Sequence, residues 1–192
     1  MRAQQPKTRF SCKPMPLPGV VSIQRENICD VRGSLSRLFC SEELASAGWV
    51  HSVAQINHSY TARAGTVRGL HFQRPPHSEA KLITCIRGSI WDVAVDLREG
   101  SSTFLRWCAL ELSASNRTAV LIPPGFAHGY QTQTDDVELL YLHSTPYVPV
   151  ADAGLNPYDE TLGIKWPLPI SVTSNKDSEF PMLTGQFRGL KV

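Results

Sequence analysis

His71, Lys81 and Asp92 follow one another through a segment of alternating polar and apolar residues in the middle of the chain. A histidine titrates near neutral pH and can accept or donate a proton, while a lysine can stabilise a developing negative charge. Charged groups are seldom buried unless they are paired and useful. The segment therefore indicates an active site for acid–base chemistry, although a histidine in a strand more often has a structural role.

Two β-rich runs carry the lysine and the aspartate. We interpret Lys81–Ile86 and Ile90–Asp96 as a hairpin that turns at Gly88, where glycine permits a positive φ. Lys81 and Asp92 then become diagonal neighbours, and we expect an ion pair between them. The alternation places four further residues on that inward face: Ile83, Cys85, Ile90 and Ala94. A solvated pair on the outside of a sheet is the alternative.

Two other stretches supply residues of the same chemical types. The run Pro123-Pro-Gly-Phe-Ala-His128-Gly is typical of a rigid turn that presents its histidine for binding. Tyr141 lies in the strand-like run Val137–Ser144, where an inward phenol could donate a proton from the side opposite a base. A core tyrosine capped by a backbone carbonyl is the alternative.

An unusually polar strand face precedes the central segment. Gln55, Asn57 and Ser59 alternate along it and would point the same way. That face either lines a site that binds something polar or belongs to an edge strand in solvent.

A metal site is the main rival interpretation. A metal-binding cupin motif needs a second histidine two residues after the first, but the chain reads His71-Phe-Gln73. His77 and Glu79 remain, on a Pro-Pro-His-Ser-Glu loop that makes a weak metal site. We therefore predict no metal ligand set and no cofactor.

Short strands bounded by turn residues, with almost no helix, favour an all-β fold: an antiparallel barrel or sandwich. Residues 1–18 are expected to form an N-terminal tail, residues 19–192 a single domain, and Ser36–Ala47 a short helix. After Tyr147, prolines predict loops and short pieces.

The composition describes an ordinary globular protein. The 192 residues are 42% hydrophobic and 19% charged, and the net charge of +2 gives no support for a nucleic-acid or membrane partner. No apolar run resembles a secretory signal or a membrane span, and the five scattered cysteines are expected to be mostly reduced, buried thiols. We expect a cytoplasmic protein.

Taken together, the motifs resemble the dTDP-4-dehydrorhamnose 3,5-epimerase family, whose members are cupin-like β barrels or jelly rolls. The resemblance runs from about Gly19 to Pro181. It rests on these segments: Gln55-Ile-Asn-His-Ser, Val67-Arg-Gly-Leu-His-Phe-Gln, Ala80-Lys81, Asp92 to Gly100, Ile122-Pro-Pro-Gly-Phe-Ala-His-Gly, Tyr141 with Tyr147, Trp166-Pro and Ser174-Asn-Lys-Asp177.

The resemblance implies inversion of C3, C5 or both in a nucleoside-diphosphate 4-keto-6-deoxy sugar, in deoxysugar biosynthesis. His71 would be the base, oriented by Asp177, and Tyr141 the acid. Lys81, supported by Asp92, would stabilise the enolate. The implied substrate ligands are Arg68 and His128 for the diphosphate, Gln55, Asn57 and Ser59 in the nucleotide-sugar pocket, and Tyr147. Because strict alternation separates Arg68 from His71, the resemblance also predicts a bulge near Gly69.

One segment departs from the family pattern. Family members usually carry Asp-x-Arg-Gly-x-Phe-x-Glu, which binds nucleotide, commonly across a dimer interface. Here Arg32 is retained, but Leu35 and Arg37 replace the ring and the anion, which leaves the nucleotide base open. The resemblance implies a homodimer. A monoepimerase on a different nucleotide sugar, a metal-dependent cupin and a non-enzymatic sugar-nucleotide binding module are the alternatives.

Overall fold

The computed structural model describes residues 8–192, which are built mainly from β-strands. Strands β1 to β13 span, in chain order, Phe10–Pro14, Val21–Arg25, Asn27–Asp30, Gly33–Ser36, Gln55–Thr61, Val67–Gln73, Lys81–Arg87, Ser89–Asp96, Trp107–Ser113, Thr118–Ile122, Phe126–Thr132, Val137–His143 and Asp152–Gly154. The helices α1 and α2 span Ser41–Ala45 and Asn175–Glu179. The prediction of an all-β fold with few short helices is confirmed.

Most of the strands form two antiparallel sheets. The larger sheet has the order β1-β2-β10-β7-β12-β5, and the smaller has the order β13-β6-β11-β8-β9. Strands β3 and β4 pair only with each other, as a separate hairpin. Because neighbouring strands often come from distant parts of the chain, the topology is that of a jelly roll rather than a simple meander.

The two sheets enclose one apolar core. Ile83 and Val120 from the larger sheet pack in the same buried cluster as Ile90 and Phe126 from the smaller one. Alternate residues along each strand point inward, as the period of two requires. Each such aliphatic side chain contributes about 1.5–3 kcal/mol on burial, so this layer fixes how the sheets face each other.

The outward face of each sheet is also covered. Leu44 of α1 and the nearby Trp49 pack on Leu82 of the larger sheet. Leu155, C-terminal to the strands, packs with Val93 on the smaller sheet. The predicted C-terminal wrapping is confirmed, because beyond β12 the chain contains only β13, α2, turns, bends and isolated bridges.

The predicted hairpin between β7 and β8 is wrong. β7 pairs with β10 and β12 in the larger sheet, whereas β8 pairs with β9 and β11 in the smaller one. Both edges of each strand are therefore occupied, and the chain crosses between sheets at Gly88, which has a φ of 72°. The inward face was nevertheless predicted correctly, since Ile83 and Ile90 share the core while Lys81 and Asp92 are buried.

Two predictions near the N-terminus also need correction. Residues Phe10–Pro14, expected in the tail, form β1 and pair antiparallel with β2. Residues 1–7 lie outside the described part of the chain. The predicted helix Ser36–Ala47 shrinks to Ser41–Ala45, because Ser36 instead ends the hairpin strand β4.

His128 does not lie on a turn. Only Pro123–Gly125 turns, and the strand β11 begins at Phe126. All residues of β11 are buried, because the strand runs between β6 and β8 with a covered face on each side. A strand that is buried on both faces lacks the alternation by which strands are predicted from sequence.

The five cysteines are all free thiols, as expected. Only two of them are buried, Cys85 and Cys108, and burial raises the pKa of each to about 11. Cys12 and Cys29 are exposed, so the expectation that most are buried is wrong. Within residues 8–192, neither helix is long and apolar enough to cross a membrane.

Candidate active site

A cavity of about 540 Å³ lies between the two sheets, with walls from β5, β7 and β12 on one side and from β6 and β11 on the other. The sequence-predicted site residues that line it are Gln55, Asn57, Ser59, Arg68, His71, Lys81, His128, Tyr141 and Tyr147. Asp177 and Asp92 lie behind the wall, each bonded to a lining histidine. Arg32 does not line the cavity.

His71 is held by Asp177. The histidine lies on β6, and its Nε2 is 2.7 Å from the Asp177 Oδ1 on helix α2. Although burial raises the pKa of the aspartate, the hydrogen bond and charge of His71 outweigh it and lower that pKa below its ordinary value. Asp177 therefore remains a carboxylate at neutral pH, fixes one ring nitrogen and leaves the other for a ligand.

A bulge in β6 brings Arg68 and His71 to the same cavity. His71 pairs with His128 on β11 and Arg68 pairs with Tyr130, so one residue of β11 faces two of β6. The predicted bulge near Gly69 is thus confirmed. The Gly69 N–H donates to Asp177 Oδ2 at 3.0 Å, so one carboxylate holds both the bulge and the histidine.

A side chain at position 69 would not fit the bulge. Gly69 has a φ of 113°, and an added Cβ would lie 2.6 Å from the Cα of Gly129. Glycine at both positions lets β6 and β11 approach this closely.

Lys81 pairs with Glu79 and not with Asp92, which corrects the sequence prediction. Its Nζ lies 3.0 Å from Glu79 Oε1 and also donates to the carbonyl oxygen of His71 at 3.1 Å. The error follows from the hairpin, since β7 and β8 belong to different sheets. Burial raises the pKa of Glu79, but His143 and Lys81 together lower it below its ordinary value, so Glu79 remains an anion.

Asp92 holds the second histidine of the cavity. Its Oδ2 lies 2.7 Å from Nε2 of His128, and both side chains are almost completely buried. The other oxygen, Oδ1, is buried without a hydrogen-bond partner. Asp92 therefore supports His128 rather than the lysine.

Tyr141 lies on β12, across the cavity from His71. Its ring meets His128 edge-on, with centroids 6.0 Å apart, and stacks on His143 at 6.1 Å. Burial and the neighbouring Tyr130 raise the pKa of Tyr141 well above its ordinary value. The phenol is therefore protonated at neutral pH and can act as a proton donor.

The polar face of β5 is the rim of the cavity. Gln55, Asn57 and Ser59 all line it, which favours the binding interpretation over a plain solvent edge, although β5 is also the edge strand of its sheet. Gln55 accepts a hydrogen bond from the backbone N–H of Tyr147 at 2.9 Å, and the exposed Tyr147 ring borders the opening.

The hairpin β3–β4 lies apart from the cavity. Arg32 at its turn pairs with Asp30, and its side chain is 85% exposed. Leu35 is also exposed, and Arg37 forms an ion pair with Glu43 of α1. None of the departures from the family pattern therefore alters the cavity wall that this chain builds itself.

Sequence reasoning missed several lining residues. Glu79 was considered only as a weak metal ligand, and His143 was not predicted as a site residue. Lys176 also lines the cavity and forms an ion pair with Asp152. The alternation of Tyr141 with His143 was the one signal that could have identified a second inward imidazole.

Residues 8–192 contain no group of three or more histidine, cysteine, aspartate or glutamate side chains arranged to hold a metal ion. Gln73, where a cupin metal site would need a histidine, is buried and hydrogen-bonded to Glu79 and to backbone atoms.

Fold and cavity together define a cupin-like protein in which two facing sheets bring titratable side chains to one cavity. The chain belongs to the dTDP-4-dehydrorhamnose 3,5-epimerase family, whose model matches residues 14–185. The predicted family and isomerase class are thereby confirmed.

Individual relatives agree over most of the chain. A dTDP-4-dehydrorhamnose 3,5-epimerase from Sinorhizobium fredii is 42% identical over 159 residues, 80% of each protein. The crystal structure of such an epimerase from Bacillus anthracis, with TDP and PPi bound, has a TM-score of 0.85 at 36% identity and covers 90% of this chain and 100% of that one. A 3'-monoepimerase from Streptomyces bikiniensis, in complex with dTDP-quinovose, has a TM-score of 0.81 at 36% identity and covers 88% and 86%.

Proposed function

We propose that this chain inverts C3 and C5 of a dTDP-linked 4-keto-6-deoxy sugar in deoxysugar biosynthesis, in the cytoplasm. The observation that carries the proposal is a carboxylate-held base, His71, and a protonated phenol, Tyr141, on opposite sheets of one cavity. Inversion at a carbon needs a proton acceptor and a proton donor on opposite faces of the sugar, and this arrangement provides both.

In the first step, His71 removes the proton from the carbon next to the C4 ketone. The electron pair of that C–H bond moves to the ketone oxygen and forms an enolate. Asp177 stabilises the imidazolium that results. A carbon acid of this kind is too weak for a histidine alone, and Lys81 supplies the preorganised cation at the oxygen, worth roughly 3 to 4 kcal/mol.

In the second step, Tyr141 donates its proton to the same carbon from the other face, and the enolate returns to a ketone. Solvent then reprotonates the phenolate and takes the proton from His71. A positioned acid or base of this kind contributes on the order of 10² to 10⁴ in rate. The two proton transfers at carbon use side chains of this chain, and solvent restores their protonation states.

The remaining residues of the cavity bind the substrate. Arg68, whose pKa is raised by Tyr130 despite burial, and His128 would hold the diphosphate. Gln55, Asn57 and Ser59 would contact the nucleotide sugar. Tyr147, exposed at the opening, would contact it there.

We also propose that the chain works as a homodimer. The β3–β4 hairpin exposes Val31 and Leu35, and the edge strand β5 exposes Ile56 and Tyr60. Arg32 lies between the exposed hairpin residues and away from the cavity of its own chain. A substrate role for Arg32 would therefore need a partner copy.

A monoepimerase is the second candidate function. The relatives include both a 3,5-epimerase and a 3'-monoepimerase, each 36% identical to this chain in the structural comparison. A monoepimerase needs the same base and acid and differs in how the sugar lies between them.

The test is solvent exchange. The chain would be incubated in deuterium oxide with a dTDP-4-keto-6-deoxy sugar, and proton NMR would follow the C3 and C5 signals. We expect exchange at both positions, lost in His71→Ala and kept in His51→Ala, a control at an exposed loop histidine. Exchange at one position would identify a monoepimerase. No exchange would overturn the thymidine assignment, and other nucleotides would then be tried.

A further inference from the structure

Glu79 is shared by two basic groups that line the cavity. Its Oε1 receives Lys81 Nζ at 3.0 Å, and its Oε2 lies 3.1 Å from His143 Nδ1. A third donor, Gln73 Nε2, also reaches Oε2 at 3.1 Å. The three ionisable side chains are only 7% to 13% exposed, so their orientations are fixed by one another rather than by solvent.

The other ring nitrogen of His143 faces the substrate-binding edge. His143 Nε2 lies 3.5 Å from the Asn57 amide nitrogen, and Asn57 Oδ1 in turn accepts from Gln55 Nε2 at 3.0 Å. At the opposite end, Lys81 Nζ donates to the backbone carbonyl of His71. A continuous series of hydrogen bonds thus runs from Gln55 on β5 to the backbone carbonyl of His71 on β6.

The tautomer of His143 follows from these partners. An ionised carboxylate can only accept, so Nδ1 must carry the proton that it donates to Glu79. The Asn57 amide nitrogen can only donate, so Nε2 must accept. One neutral tautomer satisfies both contacts and orients the two neighbouring side chains.

We propose that His143 is a positioning residue that acts in two directions. Through Glu79 it holds the ammonium of Lys81 at the enolate, and through Asn57 it orients the amide that meets the substrate. This inference rests on the proposed function. A purely structural role is the competing interpretation, because the His143 ring also stacks on Tyr141 at 6.1 Å, with planes 17° apart.

Three substitutions separate these roles. His143→Phe keeps a ring for stacking and removes both hydrogen bonds. His143→Asn places an amide where Nδ1 was, so it can still donate to Glu79, whereas His143→Gln extends its amide towards Nε2 and can still serve Asn57. His51→Asn, at an exposed loop histidine, is the matched control.

We expect His143→Phe to lower kcat and raise KM, each by about tenfold or more, as for the loss of hydrogen bonds to buried partners. His143→Asn should recover most of kcat but not KM. His143→Gln should recover KM but not kcat. Unchanged kinetics in His143→Phe, or identical kinetics in the Asn and Gln variants, would overturn the proposal.

A second measurement does not depend on turnover. Imidazole ¹⁵N NMR of the wild-type chain, with the His143 signal assigned by its absence in His143→Phe, reports the tautomer directly. We expect the Nδ1–H form. The Nε2–H form would overturn the positioning role even in an active enzyme. A wild-type chain without turnover would instead overturn the proposed function, which distinguishes the two failures.

Discussion

Three carboxylates each hold a different basic group of the cavity. Asp177 holds His71, Asp92 holds His128, and Glu79 holds Lys81. Buried charges are costly unless they are paired, and pairing also fixes the direction in which each basic group points. The cavity therefore presents oriented basic groups to a substrate without leaving their carboxylates unpaired.

The substitution Asp177→Asn tests the pair formed by Asp177 and His71. The amide keeps the shape but cannot stabilise an imidazolium, so kcat should fall by about 10² to 10⁴ while KM changes little. Steady-state kinetics on the dTDP sugar measure the effect. Glu179→Gln, which removes an exposed carboxylate from the same helix, is the control and should keep wild-type activity. Wild-type kcat in Asp177→Asn would contradict the assigned role.

The residue types of the site could be predicted from the sequence, and the family resemblance also predicted the contact between His71 and Asp177. The partner of Lys81 could not be predicted. His71, Lys81 and Tyr141 stand out because proton transfer needs such groups. The partner of Lys81 depends on which strands pair, and Glu79 on its loop looked like a poor ligand for a metal. Only the folded chain places that carboxylate beside the lysine.

At the scale of elements, the bulge in β6 decides which side chains reach the cavity. Without it, Arg68 and His71 would point to opposite faces of the strand. The bulged Gly69 N–H donates to Asp177, so β6, helix α2 and the His71 ring are tied together at one carboxylate.

Gly69→Ala should therefore destabilise the chain and reduce activity. The new Cβ would meet backbone atoms of β11 at 2.6–2.7 Å, at a φ that disfavours side chains. Gly100→Ala is the matched control, because Gly100 also has a positive φ but has open space around its Cβ position. We expect the free energy of unfolding to fall by roughly 1–3 kcal/mol more for Gly69→Ala than for the control. Equal stability in denaturant titrations would contradict this.

The end of β8 carries a pH-dependent contribution to stability. Burial opposes ionisation of Asp96, but hydrogen bonds from Arg98, Thr103 and Ser101 lower its pKa from 3.8 to about 2. Because the folded pKa lies below the unfolded one, the stabilisation is present above pH 4 and is lost as the pH falls towards 2.

The corresponding variant is Asp96→Asn. A shift of this size corresponds to about 2 kcal/mol at neutral pH, so the variant should unfold more easily there. Thermal unfolding would be measured for the wild type and the variant between pH 7 and pH 2. The difference between their unfolding temperatures should be constant above pH 4 and should narrow below it. Glu99→Gln, at a more exposed carboxylate with only a 3.7 Å ion pair, should show little difference. If the difference between the wild type and Asp96→Asn instead widened as the pH fell, the stabilising role of the Asp96 carboxylate would be refuted.

The positions of strands along the chain were easier to predict than which strands pair with each other. Strand β10, Thr118–Ile122, is a short apolar run between turn residues, and such a run has few other solutions. Which strand lies beside it depends on contacts between distant parts of the chain. β11 was missed because both of its faces are covered, and β7 and β8 were paired because adjacent strands often do pair.

At the scale of the whole molecule, the two-sheet architecture sets the proposed stereochemistry. In the proposed function, a sugar held between the facing sheets would meet His71 of one sheet and Tyr141 of the other, so proton removal and proton return would come from different sides. The family could be predicted from the sequence because its short motifs occur in order along most of the chain. The nucleotide could not, because Leu35 on β4 and Arg37 just after it depart from the family pattern.

The central claim is that His71 and Tyr141 act on opposite faces of one carbon, and Tyr141→Phe in deuterium oxide tests it most directly. His71 would still remove the proton and return a deuteron to the same face. We therefore predict deuterium exchange with retained configuration at the reacting carbon, while epimer formation falls by at least about 10²-fold. Epimer formation at the wild-type rate would contradict the account. So would a correctly folded Tyr141→Phe variant that lost both deuterium exchange and inversion.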